Sequence, residues 1–543
     1  MIRHLAAFLW FAVAAAGQSP ETRVGQWTRF EAVFQAAADY PDPLGGVTLN
    51  VAFRSPSGQT HIIVAFWDGG RFWRARFAPD EIGSWSYRTG AEPQDFGLHN
   101  KSGTFQCVAG TSHLELFRRG AIRVSKNRHH FEHADGTPFF WLGDTVWNGA
   151  LLSDARGWNV FLADRAAKGF TVIQFVTTQW SAAYADATGR VAYRVRKQGG
   201  REELAVDPTF FQRMDDRVSA INAKGMLAAP VLLWAHPSQP ELNPGVRLSE
   251  EQMIQLGRYM VARYGAHQVV WMLNGDGDYS GENAPKWKRV GRAVFANPHP
   301  GRLATMHPGR LKWTFDEHAA EPWYSFTGYQ SGHRDDEAHL RWLVSEGPPA
   351  KAWRAENHLP VVNLEPNYED HRSRTPGATH VFTGAEIRRA AYWSLLVGPP
   401  AGVTYGAHGI WSWETRKAEP LNHSGTGPAA PWPQAMALPG STQMSHLAAL
   451  MRSVEWWKLR PAPQLLAHQP GTRDVAKWVA AAAPEDGRWA LVYVPAGSSV
   501  LLRPEVAKKL GKGRWFNPRT GLWRDATNLE PPDASDWVLH LRP

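Results

Sequence analysis

Between residues 114 and 453, short apolar runs of strand type alternate with amphipathic helical stretches, and this alternation restricts the fold more than any other feature of the chain. The candidate strands are residues 139–142, 172–176, 227–233, 269–273, 303–306, 323–326, 361–364 and 402–405. Helical patterns fall between most of them, at 155–168, 208–224, 249–264 and 386–397. Strand and helix taken in turn eight times are most economically closed as an α/β fold of (β/α)8, or TIM, barrel type. In such a barrel the chemistry is carried by loops that follow the strand C-termini.

The flanks read differently. Upstream, runs at 47–53, 62–66, 72–77 and 85–87 are separated by Pro-Ser-Gly, Asp-Gly-Gly and Glu-Ile-Gly turn signals, which predicts a β-sandwich over residues 18–110. The barrel takes residues 111–455, and a return to β-type runs such as 489–494 predicts a small β-sandwich over 456–543. Residues 1–17 combine a basic start, an apolar run and small residues before Gln18, which predicts a cleavable signal peptide and a secreted or periplasmic bacterial protein. That run is too short to cross a bilayer and no later one reaches 18 uninterrupted apolar residues, so no membrane insertion is expected. Cys107 is the only cysteine, which excludes intramolecular disulfides and argues against a Cys-based zinc or redox site.

Charge points away from nucleic acid: 59 Lys and Arg against 50 Asp and Glu give a net +9 over 543 residues, with no basic run and no reader motif. The aromatic count is more informative. Beside 24 Phe and 13 Tyr stand 27 Trp, and such rings offer the flat apolar faces on which sugars stack. Most must pack cores, so only those beside polar loop motifs bear on function.

The residues just past each candidate strand are Gly143-Asp-Thr-Val-Trp147, Thr178-Gln-Trp180, Trp234-Ala-His236, Asn274-Gly-Asp-Gly-Asp278, His307-Pro-Gly309, Gln330-Ser-Gly-His333, Glu365-Pro-Asn-Tyr-Glu369 and Gly406-Ala-His-Gly409. This rim is dressed for a polar ligand, and its strongest carboxylates are Asp276 after the fourth strand and Glu365 after the seventh. Hydrolysis of a glycosidic bond with retention needs two such groups about 5–5.5 Å apart. Glu365, fixed by Pro366, suits a nucleophile; Asp276, on a glycine-flanked loop in aromatic surroundings, suits an acid/base group of raised pKa. Taken singly, Asp276 also fits a turn residue or calcium ligand and Glu365 a buried ion-pair partner, with Asp278 and Glu369 as second candidates for the two roles. Asp144 and Trp147 fit either an N-cap with a core ring or a sugar subsite. His236, His307, His333 and His408 have metal-ligand chemistry, but H-E-x-x-H is absent, and hydrogen bonding to sugar hydroxyls is the better reading. No G-x-S-x-G elbow, P-loop or dinucleotide fingerprint occurs.

Pro138-Phe-Phe-Trp-Leu-Gly-Asp-Thr-Val-Trp147, Lys168-Gly-Phe170, Val270-Trp-Met-Leu-Asn-Gly-Asp276, Met306-His-Pro308, Gln330-Ser-Gly-His333, Asn363-Leu-Glu-Pro-Asn-Tyr-Glu369, Arg388-Arg-Ala-Ala-Tyr-Trp393 and Tyr405-Gly406 form an ordered set. With it the chain resembles the apiosidase-like glycoside hydrolases of family 140. Phe66-Trp-Asp-Gly-Gly70 with Arg76-Phe-Ala-Pro79 is similar to the immunoglobulin-like module often fused to that barrel, and Trp515-Phe-Asn-Pro-Arg-Thr-Gly521 to a C-terminal module once labelled collagen-binding. The resemblance implies a retaining mechanism with an Asp and a Glu, which map onto Asp276 and Glu365. It departs at Asn274-Gly-Asp276, where Gly-Gly-Asp is expected, and Asn274 is then a candidate for bonding a sugar hydroxyl.

The expectation is an exported retaining glycoside hydrolase acting on plant cell-wall or other complex polysaccharide, pectin side chains included. Its partner is that oligosaccharide or polysaccharide, and the chemistry requires no metal or organic cofactor. Asp144, Trp147, Asn274, His307, Gln330, His333, Tyr368 and His408 are expected around the reacting sugar. The rival readings are a carbohydrate-binding protein without catalysis, which would not need two opposed carboxylates, and a collagen-directed peptidase, which the missing zinc signature opposes.

Overall fold

The computed structural model describes residues 22–198, 200–296 and 302–543; the expected signal peptide lies outside the described residues. Eight parallel strands form the barrel: β1 (Trp141–Thr145), β2 (Val172–Val176), β3 (Leu227–Trp234), β4 (Trp271–Gly277), β5 (Ala304–Pro308), β6 (Thr327–Gln330), β7 (Val361–Glu365) and β8 (Gly402–Gly406). They pair in the order β5-β4-β3-β2-β1-β8-β7-β6. The seam between β5 and β6 is held by a bridge from Ala304 to Tyr324 and by Thr305, whose Oγ1 donates to Phe326 O at 2.6 Å and accepts from Gly328 N at 3.1 Å. The run expected as the sixth strand, 323–326, is thus the approach to β6, and the paired strand begins at Thr327.

The first strand is displaced in the same direction. Phe139 belongs to a short antiparallel sheet of Ile122–Val124, Phe131–His133 and Pro138–Phe139, and β1 starts at Trp141. Phe131 packs on Phe326 and Trp141, near the strand starts, so this small sheet covers the barrel floor.

Helix starts follow their sequence signals. Ser249 and Gln252 form a capping box on Glu250–Tyr264, and Thr383 and Glu386 form one on Gly384–Leu396. Asp207 caps Pro208–Ala223, whose proline occupies the first turn, and Asp154 caps Ala155–Ala167.

The N-terminal module stacks a five-stranded sheet on a three-stranded one, with Phe30, Phe53, Phe77, Trp85 and Phe105 buried between them. The C-terminal module is built on one six-stranded antiparallel sheet that is buried on both faces. Alternate residues divide: Ala480, Ala482, Leu491 and Tyr493 join the barrel core, while Ala481, Val492, Val494 and Leu539 face a second core closed by Leu466, Leu502 and Leu510. Tyr493 stacks on Tyr392 of the Gly384–Leu396 helix, with ring centroids 4.8 Å apart. Among the described residues no helix is long and apolar enough to cross a membrane.

Candidate active site

Asp276 is the last residue but one of β4 and Glu365 the last of β7, each beside an irregularity in the ladder. The β4–β5 register shifts on both sides of Gly275, and the β6–β7 register shifts between Tyr329 and Gln330, where Gln330 comes to face Glu365. Shifts of this kind re-aim side chains at a barrel rim. Asp276 has φ +49°, a left-handed conformation that costs a non-glycine residue energy and that clusters at functional sites. The glycine before it is required by contact: a Cβ on Gly275 would stand 2.3 Å from the Trp234 ring.

One carboxylate oxygen of Asp276, one of Glu365 and one ring nitrogen of His307 lie within 4.8 Å of one another. Glu365 Oε1 accepts from Gln330 Nε2 at 2.5 Å and from His333 Nε2 at 2.9 Å. His307, wholly buried, sits between the pair, with Nε2 3.4 Å from Glu365 Oε2 and Nδ1 3.9 Å from Asp276 Oδ1. Burial, reinforced by the negative charge of Glu365, raises the Asp276 carboxyl to about 7. Burial alone would raise Glu365 too, but the His307 and His333 rings outweigh it and hold that carboxyl well below the ordinary carboxylate range. Their surroundings thus favour a proton on Asp276 over one on Glu365.

The two carboxyls open into a cavity of about 490 Å³. Trp147, Trp180, Trp234 and Trp411 form an aromatic wall, in which Trp180 and Trp234 approach to 4.4 Å and Trp147 and Trp234 to 5.3 Å between centroids. Tyr368 lies beside His333, 4.3 Å between centroids, and its ring covers Gly406, where a Cβ would meet it at 2.2 Å. That contact gives the Tyr405-Gly406 pair its physical reason.

Six of the ten expected residues line this cavity: Trp147, Asp276, Gln330, His333, Glu365 and Tyr368. The other four are wholly buried behind it. Asp144 turns toward the helix layer and pairs with Arg165 of the Ala155–Ala167 helix, so its charge is spent within the fold. His408 uses both ring nitrogens, accepting from Trp411 Nε1 at 3.0 Å and donating to Gly427 O at 2.8 Å; burial pushes it down to about 4. It holds Trp411 and does not itself line the cavity. Asn274 lies inside β4 with neither side-chain atom hydrogen-bonded, and His307 acts on the carboxyls from beneath. The second candidates fall away from the cavity as well. Asp278 is held by Lys312 and Ser280, and Glu369 by Tyr405 and the Gly440 amide.

Arg310, Arg334 and Arg374 also line the cavity and were not expected. Two of them had a signal, since Arg310 directly follows His307-Pro-Gly309 and Arg334 directly follows Gln330-Ser-Gly-His333. Asp276, His307 and Glu365 offer one ligand atom each and are close enough to hold a divalent cation together.

A family model described as "Apiosidase-like, catalytic domain" matches residues 125–458. A domain of unknown function, DUF5060, matches residues 23–92, and a family described as "Putative collagen-binding domain of a collagenase" matches residues 461–541. No curated protein matches the chain. Among solved structures, a glycoside hydrolase family 5 protein from Bacteroides vulgatus is 20% identical with a TM-score of 0.66, over 80% of this chain and 95% of that one. A protein described as a "putative glycoside hydrolase" from the same organism is 18% identical with a TM-score of 0.68, over 96% of this chain and all of the other. These likenesses give the fold, and the family match spans more than half the sequence: the chain belongs to the apiosidase-like catalytic domain family.

Proposed function

We propose that the protein is an exported, retaining glycoside hydrolase acting on plant cell-wall or other complex polysaccharide, pectin side chains included. The observation that carries this reading is the carboxyl pair, two groups within 4.8 Å that their surroundings push in opposite directions. That spacing suits direct attack on the anomeric carbon, whereas inversion needs about 6.5–9.5 Å to admit a water. In the first step a Glu365 oxygen bonds to the anomeric carbon as the glycosidic C–O bond breaks, and Asp276 gives its proton to the departing oxygen. In the second, Asp276 takes a proton from water, whose oxygen bonds to the anomeric carbon and releases Glu365. The histidine and glutamine contacts on Glu365 keep it ionised for attack, and the aromatic wall suits the apolar face of a sugar ring.

The test is sugar release from pectic side-chain oligosaccharides, hemicelluloses and arabinans by wild type beside Glu365→Gln. Release by wild type that falls by several orders of magnitude in the variant supports the assignment. Equal release by both removes Glu365 from the chemistry, and binding without release would favour a carbohydrate-binding role. Export is tested separately by mass spectrometry of the mature protein, expected to begin at Gln18.

A further inference from the structure

Three arginines stand on the β5, β6 and β7 loops at the cavity mouth, and among the described residues none has an ion-pair partner within 4 Å. Each is nonetheless held in place. The stem of Arg310 lies across Gly332, whose φ is +73° and where a Cβ would come within 2.7 Å of it. The Arg334 carbonyl accepts from Asn367 Nδ2 at 3.2 Å, while its Nε is shielded from solvent without a hydrogen-bond partner. Arg374 donates its backbone N–H to His333 O at 2.8 Å, and its neighbours Ser373 and Thr375 both donate to Asp335, at 2.7 and 2.8 Å.

The backbone or stem is thus fixed and the guanidinium left free, three times over, around one opening. Among the described residues the carboxyls in the lining are Asp276 and Glu365, and neither these nor Asp336, which acts on Arg310 from farther off, comes within 4 Å of the three guanidiniums. Like charges brought together without a close ion-pair partner cost free energy, which an anion entering the cavity would relieve. A guanidinium presents paired N–H donors that match the oxygens of a carboxylate or sulfate.

We propose that Arg310, Arg334 and Arg374 bind an anionic group of the substrate, the carboxylate of a uronate or a sulfate ester, beside the carboxyl pair. This rests on the glycosidase reading above and adds to it the charge of the substrate.

The experiment compares two matched pairs: oligogalacturonides with free or fully methyl-esterified carboxyls, and a sulfated galactan oligosaccharide with its desulfated form. Wild type is expected to show a kcat/KM at least tenfold higher on the charged member of one pair, and which pair names the group. The double variant Arg310→Gln/Arg374→Gln is expected to lose that preference while keeping its rate on the neutral member, which also reports that it folds. Equal rates on both members of each pair, or a preference untouched by the double variant, would overturn the proposal. If none of the four is cleaved, the hydrolase reading fails for these linkages, and all four are titrated into Glu365→Gln protein by calorimetry. At least tenfold tighter binding of a charged member still supports the anion site; equal affinity or no binding overturns it.

Discussion

Asp276 and Glu365 carry the same functional group into the same cavity, and what separates them is their neighbours. Glu365 receives hydrogen bonds from Gln330 and His333, whereas the Asp276 oxygen nearest His307 is buried without a hydrogen-bond partner. The acid must be protonated to act, so kcat/KM should fall above a pH of about 7, tenfold per unit, and stay level on the acid side through the ordinary carboxylate range. A profile that declines below pH 5 would contradict these assignments. Linkage gives a second reading. A carboxyl raised by folding contributes stability that is fully present below its unfolded value and is lost as pH rises through the folded one. For Asp276 that window runs from near 3.8 to about 7, so the thermal midpoint of Asp276→Asn should exceed that of wild type at pH 8 and converge on it toward pH 4. The grouping of Asp276, His307 and Glu365 makes a chelator informative too. Activity should survive EDTA; loss restored by a divalent ion would make the cluster a metal centre.

Among the secondary-structure elements, the placement of the carboxyl pair depends on ladder irregularities and on glycines that admit a ring. Gly275→Ala should reduce kcat at least tenfold, because its Cβ would displace Trp234 from the wall and shift the strained turn at Asp276; steady-state kinetics with a thermal melt checks it. An unchanged kcat would show that Trp234 yields freely. The carboxyl pair was legible in the sequence because strand ends can be counted, and six of the ten expected site residues meet at the cavity. Of the four that do not, Asp144 was misplaced by facing. Asp144 lies in β1 one residue before Thr145, whose hydroxyl accepts from Gln174 inside the barrel, and the period of two turns Asp144 to Arg165 instead. Nothing in Gly143-Asp-Thr-Val-Trp147 says which face is the lumen. Arg374 was out of reach of the pattern for another reason: it is placed by Asp335, from a different loop, acting on Ser373 and Thr375.

At the scale of the whole molecule, both flanking modules are joined to the barrel by buried charge. Arg76 of the N-terminal sandwich bonds Asp215 at 2.7 Å, and Asp215 in turn bonds Arg263. On the other side Arg388 of the Gly384–Leu396 helix pairs with Asp536 at 2.7 Å, with both side chains nearly inaccessible to solvent. Asp536→Ala would leave Arg388 buried and uncompensated, and should destabilise the protein by about 3–5 kcal/mol in chemical denaturation. Because Leu491 and Tyr493 complete the barrel core, that loss should appear in the temperature dependence of activity and not only in the module. Loss of stability without any effect on activity at elevated temperature would show that the module unfolds on its own. The order of modules along the chain was readable from turn signals and strand spacing. The two-faced burial of the C-terminal sheet has its signal too, since Ala490-Leu-Val-Tyr-Val494 is apolar throughout, without the alternation of a strand that has one solvated face.

If Glu365 attacks the anomeric carbon and Asp276 serves as its acid and base, the stereochemistry of the product records it. Proton NMR of the first-formed product, on whichever substrate the panel identifies, tests it most directly. Two displacements predict that the anomer released first has the configuration of the bond cleaved. Release of the opposite anomer would mean a single displacement by water and would remove Glu365 as the nucleophile.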